Sequence, residues 1–442
     1  MSPTAAQEPP ASSPFRNLAG ANLAAQAAEQ ISLAAVPMVA VLALGVGARE
    51  TGWLAAAQSL PFLLLALPFG LWADRASRRR LMVGAEALRA LAMVLLAALA
   101  WWATTSTNAG ASGSASESAS ASQWALPLLA LLGFGSAVGT VAFSVAAPAM
   151  VALLVPRAQL GHANSRIELA RSLAFAGGPA LAGAVVAAAG GGAAFALAAL
   201  LSALAVALLM RLPHDDAPPS SSMATSAAPR RPLAELRTGA RFVWHDRLLR
   251  PILLTAVVWN LAWMALQAAY VPHATQHLGL GARGIGLTLA LYGVGMVVGA
   301  LAAPRLMARL PFGGAIILGP LVSVLAALTM LASLAWPQAW LAALSFFLFG
   351  VGPIVWTVSS TTLRQTLTPS AMLGRVSSIF LTANAGARPI GAALGALVAT
   401  WAGTDAAAGA CLALAAIGFA LQAGVIVLSP VRALHALPPA AR

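Results

Sequence analysis

Apolar runs of 18 or more residues recur along the whole chain, separated by short polar or charged breaks. Each is close to the roughly 20 residues that a helix needs to cross a hydrocarbon core about 30 Å thick. Stretches such as LLALLGFGSAVGTVAFSVAA (128–147) show no two-residue alternation, so the pattern predicts helices rather than the strands of a barrel. It predicts an all-α membrane protein with twelve spanning helices at 20–45, 52–72, 81–103, 124–147, 167–189, 192–211, 251–273, 284–304, 313–335, 338–360, 377–400 and 406–429. An even number of crossings puts both termini on one side.

Two segments break the rhythm. Residues 104–123, TTSTNAGASGSASESASASQ, are a Ser/Ala/Gly stretch that buries nothing and is expected to be a disordered outer loop. Residues 212–250 are polar and Pro/Ser-rich, then basic, and divide the helices six and six. Their later part, Leu233 to Leu249, is expected to form a helix on the inner membrane surface with arginines toward anionic headgroups. The domain organisation is thus a tail (1–19), a six-helix bundle (20–211), a linker (212–250), a second bundle (251–429) and a tail (430–442). The halves also echo each other. At one fixed offset Pro156 meets Pro369, Leu160 meets Leu373, Gly161 meets Gly374 and Gly178 meets Gly391.

Composition agrees: 60% of residues are hydrophobic and 8% charged, against about a quarter charged in a soluble domain. All 25 basic residues are arginine. Three fall within predicted helices (Arg89, Arg171, Arg388), two outside (Arg49, Arg283) and the rest in segments assigned to the cytoplasm. This positive-inside pattern accounts for the basic charge without a nucleic-acid partner and puts both termini in the cytoplasm. The N-terminus has no charged n-region, short apolar core and cleavage site, so the first helix is expected to act as the targeting signal. A single cysteine, Cys411, excludes a disulfide framework, and no His/Cys/acid cluster suggests a metal. Without lysine there is no Walker A loop, and no hydrolytic constellation is visible, so neither enzymatic activity nor a cofactor is expected.

The scarce charge concentrates in GLWADRASRRRLM (70–82). Gly70, Asp74, Arg75, Arg78 and Arg79 fit G-x-x-x-D-R-x-G-R-R, and in this the chain resembles the major facilitator superfamily, whose signature lies between helices two and three. Ser77 replaces the second glycine, a departure that bears on the tightness of the turn. Three further pieces resemble the bacterial drug and siderophore exporter branch, which includes macrolide-efflux and enterobactin-exporter proteins. They are LGLGARGIGLTLALYGVGMVVGAL, LRQTLTPSAMLGRVSS and GARPIGAALGAL. The resemblance implies two pseudo-symmetric six-helix bundles in a bacterial inner membrane and transport of a small molecule by a monomer, with a gating role for the five motif residues. A partial G-P-x-x-G-G run of helix-five exporters is present as Gly178, Pro179 and Gly183, with Ala182 for one glycine. It implies close packing and a bend there, as helix packing in any carrier would. The arginine that exporters carry within helix four is absent.

Ionisable groups within spanning helices are functional candidates because each costs at least a few kcal/mol to embed. Glu29 shares a helix face with Asn22, Gln26 and Ser32 and has no basic neighbour in sequence, which makes it the candidate for proton coupling, or else a hydrated or cross-helix-bonded acid near the cytoplasmic end. Glu86 with Arg89, and Glu168 with Arg171, stand three apart and are expected to pair. Arg388 has no acid on its own helix and needs Glu29, a carbonyl or an anionic substrate, or packs against the opposite half. Asn260, Trp263, Met264, Gln267 and Tyr270 form a stripe of aromatic and amide groups suited to a large, partly apolar molecule. Trp259 and Tyr270 also suit an interfacial aromatic belt. With Gln26, and with Asn384 one turn from Arg388, the mid-helix members of this stripe are the substrate-cavity candidates. The expected function is proton-coupled export of a small, partly hydrophobic compound by alternating access, with protons and membrane lipids as the other partners. The rivals are an importer or uniporter of an anionic metabolite or siderophore, and a non-transporting membrane sensor or assembly partner.

Overall fold

The computed structural model describes residues 13–73, 77–110, 115–156, 160–213, 232–369, 372–436 and 438. The chain is all-helical: α1 (Ser13–Leu44), α2 (Ala48–Ala73), α3 (Arg78–Gly110), α4 (Ala115–Leu154), α5 (Leu160–Met210), α6 (Pro232–His245), α7 (Leu249–Gln276), α8 (Ala282–Arg309), α9 (Phe312–Ala335), α10 (Ala339–Leu367), α11 (Leu373–Val427) and a short 3-10 turn (Pro430–Ala433).

Two helices are far longer than one crossing requires: α5 has 51 residues and α11 has 55. Each is two spans joined at a glycine, Gly190 (φ 81°, ψ 172°) and Gly403 (φ 76°, ψ 168°), in a region that residues with a Cβ avoid. These glycines lie at the same offset as Pro156 and Pro369, so the repeat seen in sequence extends to the break. Counting the arms separately gives the twelve crossings in two pseudo-symmetric six-helix bundles. The face that carries both termini is called terminal below, and the opposite one distal.

Within each half the same pairing recurs. In the first, α5 packs along α1; in the second, α11 packs along α7. A Cβ on Gly178 would lie 2.5 Å from Cβ of Gln30 in α1, and one on Gly391 would lie 2.7 Å from Cα of Leu261 in α7. Across the halves α5 meets α8, and α2 meets α7 and α11.

The hydrophobic core shows how the halves are disposed. One cluster joins both halves on the distal side, from Ile31, Met38 and Phe195 to Tyr270, Phe346 and Phe419. On the terminal side the core is split in two. One part is built on Leu18, Met82, Phe143 and Leu209, the other on Leu249, Ile252, Leu363 and Phe380. The distal seam is closed by glycines: a Cβ on Gly183 would stand 2.8 Å from Cα of Gly286. Thr51 adds a hydrogen bond, its hydroxyl donating to the Ala268 carbonyl at 2.5 Å.

Three expectations are corrected. The loop expected at 104–123 is mostly helix, because α3 runs through Gly110 and α4 starts at Ala115; 111–114 lie outside the described residues. Alanine is the best helix former and serine costs only about 0.5 kcal/mol more. The linker helix forms as α6, but it is seated on protein as well as at the surface: Val243 is fully buried in the second half's terminal core and Gly239 abuts Arg375 of α11. Trp259 and Tyr270 are not belt residues. Trp53, Trp101, Trp102, Trp124, Trp336, Trp340 and Trp401, all at least 45% exposed toward the distal side, suit such a belt instead.

Candidate functional site

A cavity of about 420 Å³ opens where the core is split, within the range of small-molecule sites. Most of its wall comes from α7 to α11 of the second half, and α5 of the first half adds Glu168 and Arg171. Trp259 and Tyr292 line it in front of a buried aromatic layer. Trp259 stacks on Trp263 at 5.3 Å, Trp263 meets Tyr292 at 5.1 Å and Phe349 at 5.2 Å, and Phe349 meets Phe419 at 4.7 Å. These rings bury one another because α7 places Trp259 and Trp263 one turn apart.

Eleven of the lining residues are polar or charged, and several of them are committed to protein partners. Trp259 Nε1 donates to Ser323 Oγ at 3.2 Å, and Gln422 Nε2 donates to the Pro320 carbonyl at 3.0 Å. Asn260 Nδ2 donates to the Ala256 carbonyl at 2.9 Å and reaches Asn384 Oδ1 at 3.5 Å. Two buried atoms of cavity-lining residues have no hydrogen-bond partner among the described residues: the acceptor Gln422 Oε1 and the donor Trp356 Nε1. An unsatisfied buried donor or acceptor costs about 1–3 kcal/mol.

Cations outnumber anions here. Glu168 and Arg171 form a loose, half-exposed pair at 3.7 Å. In the cavity wall Arg364 lies over the Phe380 ring at 4.7 Å; Arg388, a predicted cavity residue, is not among the lining residues and lies over the Phe62 ring of α2 at 5.6 Å. Among the described residues neither has a carboxylate within 4.0 Å.

A second polar region lies inside the first half. Arg89 is fully buried, with Nη1 3.0 Å from Glu86 Oε1 and donating to the Ala25 carbonyl at 2.9 Å, while Nη2 donates to Thr140 Oγ1 at 2.9 Å. Ser202, from the second arm of α5, faces Glu86. Glu29 is half-buried and is an electrostatic neighbour of both Glu86 and Arg388.

The sequence candidates are therefore only partly brought together. Asn260 and Asn384 meet at the cavity. Trp263, Met264 and Gln267 are not among its lining residues, because the α7 stripe climbs from the cavity into the closed distal core. Tyr270, at its end, is buried and bonded to Thr288. Gln26 is half-buried on α1, away from the cavity wall. Gly178 seats α5 on α1, Pro179 lies within α5, and Gly183 faces α8 of the other half. Of the gating motif, Gly70 falls in α2 and Arg78 opens α3, whereas Asp74 and Arg75 lie outside the described residues. Arg79 donates to the Leu209 and Met210 carbonyls at 3.3 and 2.5 Å. It thereby caps the C-terminal end of α5 in its own half rather than reaching across. Arg364 was assigned to a cytoplasmic loop, but α10 continues to Leu367 and carries it to the cavity wall. Gln422 was also missed, although a lone glutamine within the last apolar run was its signal.

The sequence profile described as Major Facilitator Superfamily matches residues 18–392. The chain belongs to the Major Facilitator Superfamily. It is accordingly a multi-pass membrane transporter, as the motif at 70–79 led one to expect. Solved superfamily folds agree with this architecture. A bacterial homologue of the iron transporter ferroportin in an inward-facing state is 17% identical, with a TM-score of 0.69, covering 93% of this chain and 97% of that one. The outward-facing state of a bacterial ferroportin homologue gives 0.59 at 18% identity, over 93% and 98% of the two chains. The nucleoside transporter NupG is 12% identical with a TM-score of 0.66, over 93% and 97%. No curated protein matches the sequence.

Proposed function

We propose that the protein is a secondary carrier that exports a small, partly hydrophobic compound in exchange for protons. It works by alternating access, with its terminal face toward the cytoplasm of a bacterial inner membrane. The observation that carries this reading is the cavity itself: lined by the rings of Trp259, Tyr292, Trp356 and Phe380 together with hydroxyl and amide groups, and placed where a core continuous on the distal side divides in two on the terminal side. Such a surface binds by stacking and hydrogen bonds, and suits a partly hydrophobic compound that also carries polar groups. When the distal seam opens, the α7 stripe of Trp263, Met264 and Gln267 becomes the outward part of the same wall. The segments around α8 and α11 support the exporter branch by their resemblance to it; the motif at 70–79 supports the superfamily.

Everted membrane vesicles containing the overproduced protein, with a fluorescent pH-gradient probe, test the reading against a panel of hydrophobic drugs, dyes and siderophores. A compound-dependent collapse of the gradient, absent from control vesicles, is expected. If no compound collapses it while the purified protein binds one of them, proton exchange is wrong.

Arg364 and Arg388, with no carboxylate within 4.0 Å among the described residues, favour a second reading: import or uniport of an anionic compound, with Asn384 assisting. Uptake of a labelled anionic metabolite by whole cells, lost in Arg364→Gln, would establish it.

A further inference from the structure

A second cavity, of about 640 Å³, opens at the distal end of the second half, between the ends of α7 and α9 and the start of the second arm of α11. It shares no lining residue with the first. Its polar groups are His273, Gln276 and His277 of α7 and Thr404 and Asp405 of α11. Among the described residues no arginine lines it, and Asp405 is its one carboxylate. It therefore suits a cation, although the chain as a whole carries a net charge of +13.

His273 and His277 stand four residues apart on one face of α7, and their rings stack at 5.3 Å with the planes 24° apart. Their hydrogen bonds fix the tautomer of each. Ser333 Oγ donates its proton to the Met330 carbonyl at 2.6 Å, so it accepts from His273 Nε2–H at 2.8 Å. The Leu334 carbonyl can only accept, so His277 Nε2 donates to it at 3.0 Å. Each ring is thus left with Nδ1 as a bare lone pair. The His277 bond has a structural use, because the Leu334 carbonyl is one of those left open at the end of α9. The His273 lone pair has no such use: the residue is 1% exposed, and its Nδ1 is buried with no hydrogen-bond partner among the described residues. Packing alone does not account for a buried acceptor left unpaired on a cavity wall.

We propose that His273 and His277 bind a divalent transition-metal ion through their Nδ1 atoms at the distal mouth of the second half. Histidines four apart on a helix can share one ion, and two imidazoles bound to a tetrahedral ion at about 2.0–2.1 Å have ring centroids roughly 5 Å apart, as here. A second ring nitrogen that donates to a carbonyl or hydroxyl is what orients a metal-binding histidine, and both rings have one. Imidazole donors select Zn²⁺, Ni²⁺ or Cu²⁺ over Mg²⁺ and Ca²⁺, which prefer oxygen ligands. Among the described residues no third His, Cys, Asp or Glu completes a group of three, so water takes the remaining positions and Asp405 acts as a neighbouring counter-charge. Asp405 lies two residues beyond Gly403, the break between the arms of α11. The ion therefore stabilises the place where the distal ends of α7 and α9 meet that break. This site does not depend on proton exchange or on the direction of transport.

Full-length carrier, purified without a histidine tag and stripped of metal by a chelator, can be titrated with Zn²⁺ in a calorimeter. One ion per chain is expected, with Mg²⁺ unable to compete, and Zn²⁺ is expected to raise the midpoint of thermal unfolding. His277→Gln keeps a donor for the Leu334 carbonyl but loses the ring lone pair. It is expected to unfold at the wild-type midpoint without metal, to bind Zn²⁺ roughly tenfold or more weakly, and to lose the rise in midpoint. His273→Gln is expected to weaken binding as much; should it fail to fold, His277→Gln decides alone. Asp405→Asn is expected to weaken binding severalfold. Zn²⁺ held as tightly by His277→Gln as by the wild type is an adventitious ion bound elsewhere and overturns the proposal. A wild type that binds no Zn²⁺, or one from which Mg²⁺ displaces it equally well, overturns it too.

Discussion

At the scale of single residues, the sequence spacing of Glu86 and Arg89 revealed that they could pair, and they do, at 3.0 Å. What it did not reveal is that Arg89 also ties α3 to the Ala25 carbonyl of α1 and to Thr140 of α4. One guanidinium therefore joins three helices. Replacing it alone, as Arg89→Met, strands a buried carboxylate and is expected to cost about 3–5 kcal/mol, read as a lowered midpoint of thermal unfolding in detergent. The double variant Glu86→Gln with Arg89→Met removes both charges and is expected to recover most of that loss. A double variant as unstable as Arg89→Met would show that the carbonyl and hydroxyl contacts, rather than charge balance, decide stability. The stripe on α7 was legible as a stripe, because helical periodicity is local. Which of its members face the cavity was not, because that depends on where the opposite half closes over it.

At the scale of elements, α5 and α11 carry both the internal and the cross-half packing. The first arm of each packs on the opening helix of its own half, and the same helices reach across, α5 to α8 and α11 to α2. Gly183 faces Gly286 at the α5–α8 crossing with no room for a side chain, so Gly183→Leu is expected to hold the distal seam apart while each half stays folded. The consequence is a loss of transport without loss of expression. It can be checked by labelling a cysteine at Thr51 in a Cys411→Ser background: reactivity from the distal side is expected to rise severalfold in Gly183→Leu. Unchanged labelling would mean that this crossing does not hold the distal seam. The sequence pattern separated the two arms of α5 correctly, since a run of 51 residues is too long for one crossing. It gave no sign of the positive φ at Gly190, because a glycine in an apolar run is equally suited to packing.

At the scale of the whole molecule, the proposed alternating access makes a core joined on one side and divided on the other one state of a two-state device. It predicts unequal access along α7. With Cys411 replaced by serine, a cysteine at Asn260 is expected to react with a membrane-impermeant maleimide from the terminal face, and one at Gln267 from the distal face. A transported compound should change the two rates in opposite directions. Labelling of both positions from one face would contradict alternation about this site. On the alternating-access proposal the halves are expected to move as units, since each has its own terminal core, and α6, anchored by Val243, is expected to travel with the second.

By itself the sequence determined the all-helical membrane fold, the twelve crossings, the division into halves, the repeat that relates them and the superfamily. All of these follow from hydropathy over about 20 residues, from local spacing, or from a contiguous motif. Only the tertiary structure decided which side is closed, that the cavity belongs mainly to the second half, that Arg364 and Gln422 line it, and that Arg388 shares an electrostatic neighbourhood with Glu29 and Tyr292. Those facts join residues hundreds of positions apart, and the packing that joins them is set by how two bundles meet, which no local pattern encodes.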